Sequence, residues 1–252
     1  MLQVNDLYVA FGGVAALDLQ YFQLEENELR VIIGPNGAGK STFMDIICGK
    51  TRPNRGSVLF KGNELIGKSE VQITKLGVGR KFQKPSVFEG LTVYENMLLS
   101  LKGKRDVFST FFYRLKSRDW DKIHIVAAKV NLEGDLNKPA GSLSHGKKQW
   151  LEIAMVLLQD ADLMLIDEPA AGMSDQEAEQ TAELLKDMSR DHSVIVIEHD
   201  MKFVERVATD QVSVLVRGQI LTEGTFPEVR NNQDVIDCYL GTEDSAQNKK
   251  FA

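Results

Sequence analysis

One short segment constrains the fold of this chain more than any other: residues 34–41 fit the pattern Gly-x-x-x-x-Gly-Lys-Ser. The segment follows the apolar run 31–33 and precedes a predicted helix over 39–48, which is the context that a phosphate-binding loop requires. Its glycines let backbone N–H groups curl around phosphates, and the helix N-terminus adds the positive end of its dipole. We predict that Lys40 reaches the β- and γ-phosphates of a nucleotide and that the Ser41 hydroxyl ligates Mg²⁺. The residues predicted to contact the nucleotide here are Gly34, Pro35, Asn36, Gly37, Ala38, Gly39, Lys40, Ser41 and Thr42.

Two carboxylates, Asp167 and Glu168, follow a second apolar run at 163–166. Because ligands of open parallel sheets bind at the carboxyl ends of the strands, this pair is expected near the phosphate loop. We predict that Asp167 holds Mg²⁺ and that Glu168 orients or deprotonates the attacking water. Such a pair on its own is more often a solvated loop, so the catalytic interpretation depends on the phosphate loop elsewhere in the chain.

Hydrophobic periodicity along the chain predicts an α/β fold. Short apolar runs at 162–166 and 193–197 flank an amphipathic helix at 175–191, a rhythm typical of buried parallel strands. The remaining predicted strands lie at 2–9, 17–24, 29–33, 57–60 and in a hairpin at 212–221 that turns at Arg217-Gly218. Residues 93–158 have helical spacing, a last helix is predicted at 226–240, and the tail from 243 is polar.

Composition narrows the function. Acidic residues outnumber basic ones by 36 to 30, and the resulting net charge of −6 argues against a protein that grips a nucleic-acid backbone. Cys48 and Cys238 match no metal-ligand spacing, so a reducing cytoplasm is the expected compartment. No apolar run approaches the roughly 20 residues that span a bilayer, so we expect any membrane association to come through a partner.

Ser144 is a predicted helix N-cap within the segment Leu143-Ser144-His145-Gly146, which lies between the phosphate loop and the Asp167-Glu168 pair. These elements and a histidine after the next strand, His199, resemble in their order the ATP-binding cassette (ABC) ATPase family. The resemblance covers residues 2–240. It implies an α/β cassette with a RecA-like parallel-sheet core, an antiparallel β subdomain and a helical subdomain. One cassette would fill 1–252, with 1–92 and 159–240 as core, 93–158 as the helical subdomain and 241–252 as a polar tail.

The resemblance also implies roles for individual residues. Phe11 would stack on adenine, and His199 would contact the γ-phosphate. Gln83 would lie in the loop that senses Mg²⁺ and the transporter and would help to bind the metal. Gln83, Glu168 and His199 would form the catalytic group. Ser144 and Gly146 would touch ATP held by a second cassette, so hydrolysis of ATP with Mg²⁺ would need a dimer. From their settings alone, Phe11 could be a core aromatic, Gln83 a surface residue and His199 a structural histidine.

Two segments depart from the family pattern. The usual Leu-Ser-Gly-Gly-Gln is here Leu-Ser-His-Gly-Lys, with His145 and Lys147 as the changed residues. The loop after Glu168 has Met173-Ser174 where the family usually has an aspartate, which puts its usual intersubunit hydrogen bonds in question. A lysine in the first turn of a helix opposes the helix dipole, so we hypothesise that a facing phosphate offsets Lys147 and that this residue tolerates or aids nucleotide contact.

Within the family, segments 11–17, 79–83 and 168–173 resemble cassettes that energise importers of branched-chain amino acids and amides, and His145 with the residues after it is closest to the urea and short-chain amide importers. We therefore expect an ATPase subunit of a urea or amide importer. The alternatives are a branched-chain amino acid importer, a lipopolysaccharide-export cassette and a soluble ABC ATPase outside transport. The expected partners are a second cassette, identical or different, membrane permease subunits and, indirectly, an extracytoplasmic substrate-binding protein, but no nucleic acid. The expected location is the cytoplasmic face of the membrane. The aromatic run 106–115 is core or, alternatively, a permease-docking element.

Overall fold

Two β-sheets organise the part of the chain that the computed structural model describes, residues 1–81, 87–101 and 117–238. The strands, in chain order, are β1 (Leu2–Phe11), β2 (Val14–Leu24), β3 (Leu29–Ile33), β4 (Arg55–Phe60), β5 (Asn63–Glu64), β6 (Val78–Lys81), β7 (Leu163–Asp167), β8 (Ser193–Ile197), β9 (Gln211–Val216) and β10 (Gln219–Gly224). The helices are α1 (Lys40–Ile47), α2 (Glu70–Leu76), α3 (Val93–Ser100), α4 (Ser117–Lys129), α5 (His145–Leu157), α6 (Asp175–Met188), α7 (Met201–Val207) and α8 (Phe226–Arg230). Gln83, the run 106–115 and the tail from 241 lie outside the described residues.

The larger sheet has six strands in the order β10-β9-β3-β8-β7-β6. Its strands are parallel except β10, which closes an antiparallel hairpin onto β9. Arg217 and Gly218 both have positive φ (49° and 82°), as a tight two-residue hairpin turn requires. The smaller sheet is antiparallel, in the order β2-β1-β4-β5. The predicted α/β fold is therefore confirmed.

The core lies on both faces of the six-stranded sheet. Because successive strand residues point to opposite faces, Leu165 packs with α1 and the antiparallel sheet, whereas Ile166 packs with the helices on the other side. On the side of α1, the rings of Phe22 and Phe43 pack edge to face with their centroids 5.1 Å apart. Strands β3, β7 and β8 are buried along their whole length, which explains why their sequences are continuous apolar runs.

Two differences from the sequence predictions have clear physical causes. Strand β6 was not predicted, since Val78 is its only apolar residue; it forms because Gly79 allows close packing, and a Cβ there would lie 2.8 Å from Val156 and 2.9 Å from Ala161. The single helix predicted over 226–240 is wrong, because α8 ends at Arg230. The Asn232 side chain then accepts the N–H groups of the residues that open a new helical turn from 233.

The carboxyl ends of β3, β6, β7 and β8 meet at one edge of the sheet, because these neighbouring strands are parallel. Strand β3 leads into Gly34, β6 ends at Lys81, β7 ends at Asp167, and Glu198 follows β8. The phosphate loop and the predicted acidic pair are thus brought to the same edge. None of the helices in the described ranges combines the length and apolar character needed to cross a bilayer.

Candidate nucleotide-binding site

The phosphate loop joins the buried strand β3 to helix α1, and its glycines are required by close backbone approach. A Cβ at Gly34 would overlap the backbone carbonyl oxygen of Leu215, and one at Gly39 would overlap that of Ala16. Gly37 has open space around it but a φ of +79°, which favours glycine for conformational reasons. The N-cap of α1 is Gly39, with a φ of 103° and no side-chain cap, and the first turn of the helix has no acidic residue.

Lys40 closes the loop from inside. Its ammonium donates hydrogen bonds to the carbonyl oxygens of Gly34, at 2.7 Å, and Pro35, at 3.0 Å. Burial lowers the pKa of Lys40, and the nearby carboxylates of Glu168 and Asp167 oppose that change. Burial removes part of the hydration of the Lys40 ammonium, and the negative charge of a phosphate would compensate for that loss. This geometry therefore suits a lysine that binds phosphate.

Asp167 lies at the end of β7 and is 4% exposed. Burial raises the pKa of its carboxyl, while the Arg80 guanidinium, 3.7 Å away, opposes this shift. Among the described residues no group of three or more His, Cys, Asp or Glu side chains could by itself hold a metal. Mg²⁺ is commonly bound by one or two protein oxygens together with substrate phosphates and waters. The Ser41 hydroxyl and the Asp167 carboxylate are the predicted protein donors for it.

Glu168 and His199 face each other across the ends of β7 and β8. The Glu168 backbone has a φ of +45°, unusual for a residue with a side chain, and its N–H donates to the Ile197 carbonyl oxygen at 3.0 Å. His199 Nδ1 lies 3.3 Å from Glu168 Oε1. The His199 side chain is 58% exposed, so it is not a buried structural histidine. Two groups able to handle protons and phosphate oxygens therefore lie side by side next to the phosphate loop.

Three buried charges at this edge were missed by sequence reasoning: Lys81, Glu152 and Glu198. Burial lowers the pKa of Lys81, and the carboxylates around it, Glu152 first, oppose this. Lys81 Nζ lies 3.9 Å from Glu152 Oε2 and donates to the Asp167 backbone oxygen at 3.3 Å. The only signal in the sequence is a charged residue at the end of a strand or inside an apolar helix, which does not distinguish a buried charge from a solvated one.

Ser144 is the N-cap of α5, as predicted, and its hydroxyl accepts the Lys147 N–H at 3.3 Å. Gly146 is buried against the next helix, since a Cβ there would lie 2.6 Å from Glu177 Oε1. Glu177 in turn completes a capping box with Ser174, the N-cap of α6. The departure at Ser174 thus has a local structural role in capping α6.

His145 packs on the loop that follows Glu168. Its Nε2 atom lies 3.1 Å from the Ala171 carbonyl oxygen, which also accepts a hydrogen bond from Gln149 Nε2 at 2.9 Å. Gly172, with a φ of +71°, makes room for the ring, because a Cβ there would lie 3.2 Å from His145 Cδ2. The side chain that departs from the family pattern therefore ties the start of α5 to the loop at 169–173.

Lys147 is held within its own chain. Its ammonium lies 2.6 Å from Asp135 Oδ2, and Lys138 lies 2.5 Å from the other oxygen of the same carboxylate. These two hydrogen bonds, that from Lys138 first, hold the pKa of Asp135 below its usual value. The unfavourable charge at the start of α5 is thus balanced by Asp135, and our hypothesis that a facing phosphate balances it loses its main support.

Phe11 ends β1 with its side chain 55% exposed, so it is not a core aromatic. An exposed ring is available for stacking on a base. Its adenine contact stays a prediction, as do the assigned roles of the other site residues.

Comparison with known proteins bears on the whole chain. A family model described as ABC transporter matches residues 17–171, which include the phosphate loop, segment 144–149 and the Asp167-Glu168 pair. A second model, described as branched-chain amino acid ATP-binding cassette transporter, matches residues 219–245.

Individual relatives agree with these matches. The chain is 35% identical over 250 residues to the high-affinity branched-chain amino acid transport ATP-binding protein LivG of Salmonella typhimurium, covering 96% of this chain and 98% of that protein. It is 34% identical to the corresponding BraF protein of Pseudomonas aeruginosa, with the same coverage. Among solved structures, the ADP conformation of an ATP-binding cassette of an ABC transporter superimposes with a TM-score of 0.84 at 26% identity, covering 96% of this chain and 98% of that one.

Proposed function

This chain belongs to the ABC transporter family of ATP-binding cassettes, and we propose that it energises an importer of branched-chain amino acids. It is an ATPase whose hydrolysis of ATP is coupled to transport. The observation that carries the proposed cargo class is the match over nearly the whole chain to relatives named for branched-chain amino acid transport. The second family match, at 219–245, supports the same class.

In the proposed site, the phosphate loop binds the nucleotide through residues 34–42, and Phe11 stacks on its adenine. Lys40 exchanges its contacts with the Gly34 and Pro35 carbonyl oxygens for the β- and γ-phosphates. Ser41 and Asp167 would hold Mg²⁺, with Gln83 as a further ligand, and the bound ion would supply positive charge to offset that of the phosphates.

Hydrolysis in this proposal is divided between two residues. Glu168 orients or deprotonates the attacking water, and His199 holds the γ-phosphate. Their separation of 3.3 Å supports a joint role, because each side chain restricts where the other can lie. Glu168 also has a positive φ, and residues held in such sparsely populated backbone conformations cluster at active sites.

The proposed working unit is a pair of cassettes packed head to tail. Ser144 is exposed at the N-terminus of α5, where its hydroxyl and the helix dipole suit a phosphate bound by the opposite subunit, and Gly146 lies beside it. Cassettes of this family work with membrane permeases, so we place the chain at the cytoplasmic face of the membrane. The permease would in turn receive cargo from an extracytoplasmic substrate-binding protein.

One observation keeps urea or a short-chain amide as a second candidate cargo. The segment 144–151 has the His145 variant that resembles urea importers, and that histidine makes a specific contact with the Ala171 carbonyl oxygen. The relatives reported above favour the branched-chain alternative over the urea interpretation. They give no support to lipopolysaccharide export or to a role outside transport.

The cargo is tested by reconstituting the chain with its permease and measuring ATPase activity in the presence of the substrate-binding protein. We expect stimulation when that protein is loaded with leucine and none when it is loaded with urea. The Glu168→Gln variant is the control for coupled hydrolysis and should abolish the stimulated activity. Stimulation by urea alone would establish the second candidate and overturn the first.

A further inference from the structure

Glu198 is a buried carboxylate at the edge where the nucleotide site lies. It follows β8, is 2% exposed and directly precedes His199. A buried carboxylate is costly unless its oxygens accept hydrogen bonds, so the position of its partners shows what it does.

The two oxygens of Glu198 serve two different loops. Oε1 accepts the backbone N–H of Ala170 at 3.3 Å, in the loop that follows Glu168. Oε2 accepts the backbone N–H of His199 at 3.0 Å and lies 3.5 Å from the N–H of Asp200. One side chain therefore joins the backbone after Glu168 to the backbone of His199.

The main chain of Glu198 adds a third connection. Its N–H donates to the Ile32 carbonyl oxygen at 3.2 Å, on the strand that leads into the phosphate loop. Burial raises the pKa of the Glu198 carboxyl, and the N–H groups of His199, Ala170 and Asp200 oppose that shift. Glu198 is thus connected to all three parts of the site without facing the open edge itself.

We propose that Glu198 is a positioning residue for ATP hydrolysis, which sets the distance between Glu168 and His199 by holding the loops that carry them. The inference rests on the catalytic roles proposed above for those two residues. Displacing a catalytic group by about 1 Å can cost about 100-fold in rate, so this effect is measurable without any contact between Glu198 and the nucleotide.

Glu198→Gln is a sharp test because an amide has a single acceptor oxygen. Glutamine can accept the Ala170 N–H or the His199 N–H, but its NH₂ group then faces the remaining backbone N–H. We expect kcat of the full-length chain to fall about 10- to 100-fold. KM and the affinity for a fluorescent ATP analogue should change by less than about twofold, because the phosphate loop is untouched.

Glu64 offers a control for the carboxylate-to-amide change itself. Its carboxylate accepts the backbone N–H groups of Val58, at 3.0 Å, and Ile66, at 2.9 Å, in the antiparallel sheet. Both N–H groups meet Oε1, so Glu64→Gln makes the same carboxylate-to-amide change but its single acceptor oxygen can keep both hydrogen bonds. The site is away from the nucleotide edge, so kcat should stay at the parent value. Amide hydrogen exchange should quicken at 170–171 and 199–200 in Glu198→Gln and stay unchanged there in Glu64→Gln.

A double-mutant cycle separates positioning from general stability. If Glu198 acts through His199, Glu198→Gln should lower kcat less in a His199→Ala background than in the parent chain. Equal losses in both backgrounds, or an unchanged kcat in Glu198→Gln alone, would overturn the inference. Should Glu198→Gln not fold, Glu198→Asp keeps the charge but is too short to join both loops, and it is judged by the same criteria.

The same assay distinguishes this inference from the proposed function. Glu168→Gln and His199→Ala are measured in parallel with the Glu198 variants. If both lower kcat and Glu198→Gln does not, only the role of Glu198 is wrong. If neither lowers kcat, the proposed catalytic roles are wrong and the inference falls with them.

Discussion

The phosphate loop and segment 144–149 both open helices and are both predicted to contact nucleotide, but they are held in opposite ways. The loop is shaped by its main chain: Gly34 and Gly39 fit against carbonyl oxygens, and Gly39, the N-cap of α1, provides no side-chain cap. The other segment is held by side chains: Ser144 caps α5, and His145 and Lys147 bind Ala171 and Asp135. In the loop, the backbone N–H groups can therefore bind a ligand. In segment 144–149, the polar side chains already bind other parts of the same chain.

The largest effect should follow from breaking the backbone-shaped region. Gly34→Ala forces a Cβ onto the backbone carbonyl of Leu215, which cannot move aside without disturbing β9. We expect the free energy of unfolding to fall by about 3 kcal/mol, from overpacking against main chain. Gly37→Ala is the control, because nothing lies within 4 Å of its Cβ and only the positive φ costs, about 1 kcal/mol. Urea denaturation without nucleotide measures both, and equal losses would contradict this account of the loop.

The same contrast explains what the sequence could predict. The sequence predicts three features correctly in place: the phosphate loop, β3 with its bounds 29–33, and the Asp167-Glu168 pair at the end of β7. Each of them depends on residues that are adjacent in the chain. Two contacts could not be predicted in this way: that of His145 with Ala171 and that of Glu198 with Ala170. Each joins residues about 26 to 28 positions apart, which strand register and loop shape bring together. Strand β6 escaped prediction for a related reason, since the packing of Gly79 against Val156 and Ala161 leaves no local pattern.

An intermediate effect should follow from His145→Ala. The change removes one polar contact to Ala171 while Gln149 keeps its own hydrogen bond to the same oxygen. We expect the free energy of unfolding to fall by about 1 kcal/mol. Because the loop at 169–173 follows Glu168 directly, ATP turnover should also fall, by about fivefold, the rate equivalent of a loss of about 1 kcal/mol.

His192 provides the comparison for that variant. Its Nδ1 lies 2.9 Å from the Ala161 carbonyl oxygen, so His192→Ala also removes a histidine contact to main chain, but at the opposite end of β8 from the site. Thermal denaturation should show similar losses in the two variants, and only His145→Ala should lower turnover. If turnover falls equally in both, segment 144–149 has no special connection to catalysis.

The smallest effect should come from Lys147→Gln, which tests whether the Lys147 ammonium contacts the nucleotide or stays paired with Asp135. The Asp135 pKa is depressed in the folded chain, so its ion pairs stabilise the fold above the ordinary aspartate pKa of 3.8 and stop doing so as the pH falls through the lower folded value. We expect Lys147→Gln to cost about 0.5 kcal/mol at pH 7, as for other partly exposed pairs, and nothing once Asp135 is protonated. Lys138→Gln should match it, since Lys138 binds the other oxygen of the same carboxylate. ATP affinity, measured with a fluorescent analogue, should be equal in the two variants, whereas weaker binding in Lys147→Gln alone would show that Lys147 leaves Asp135 for a phosphate.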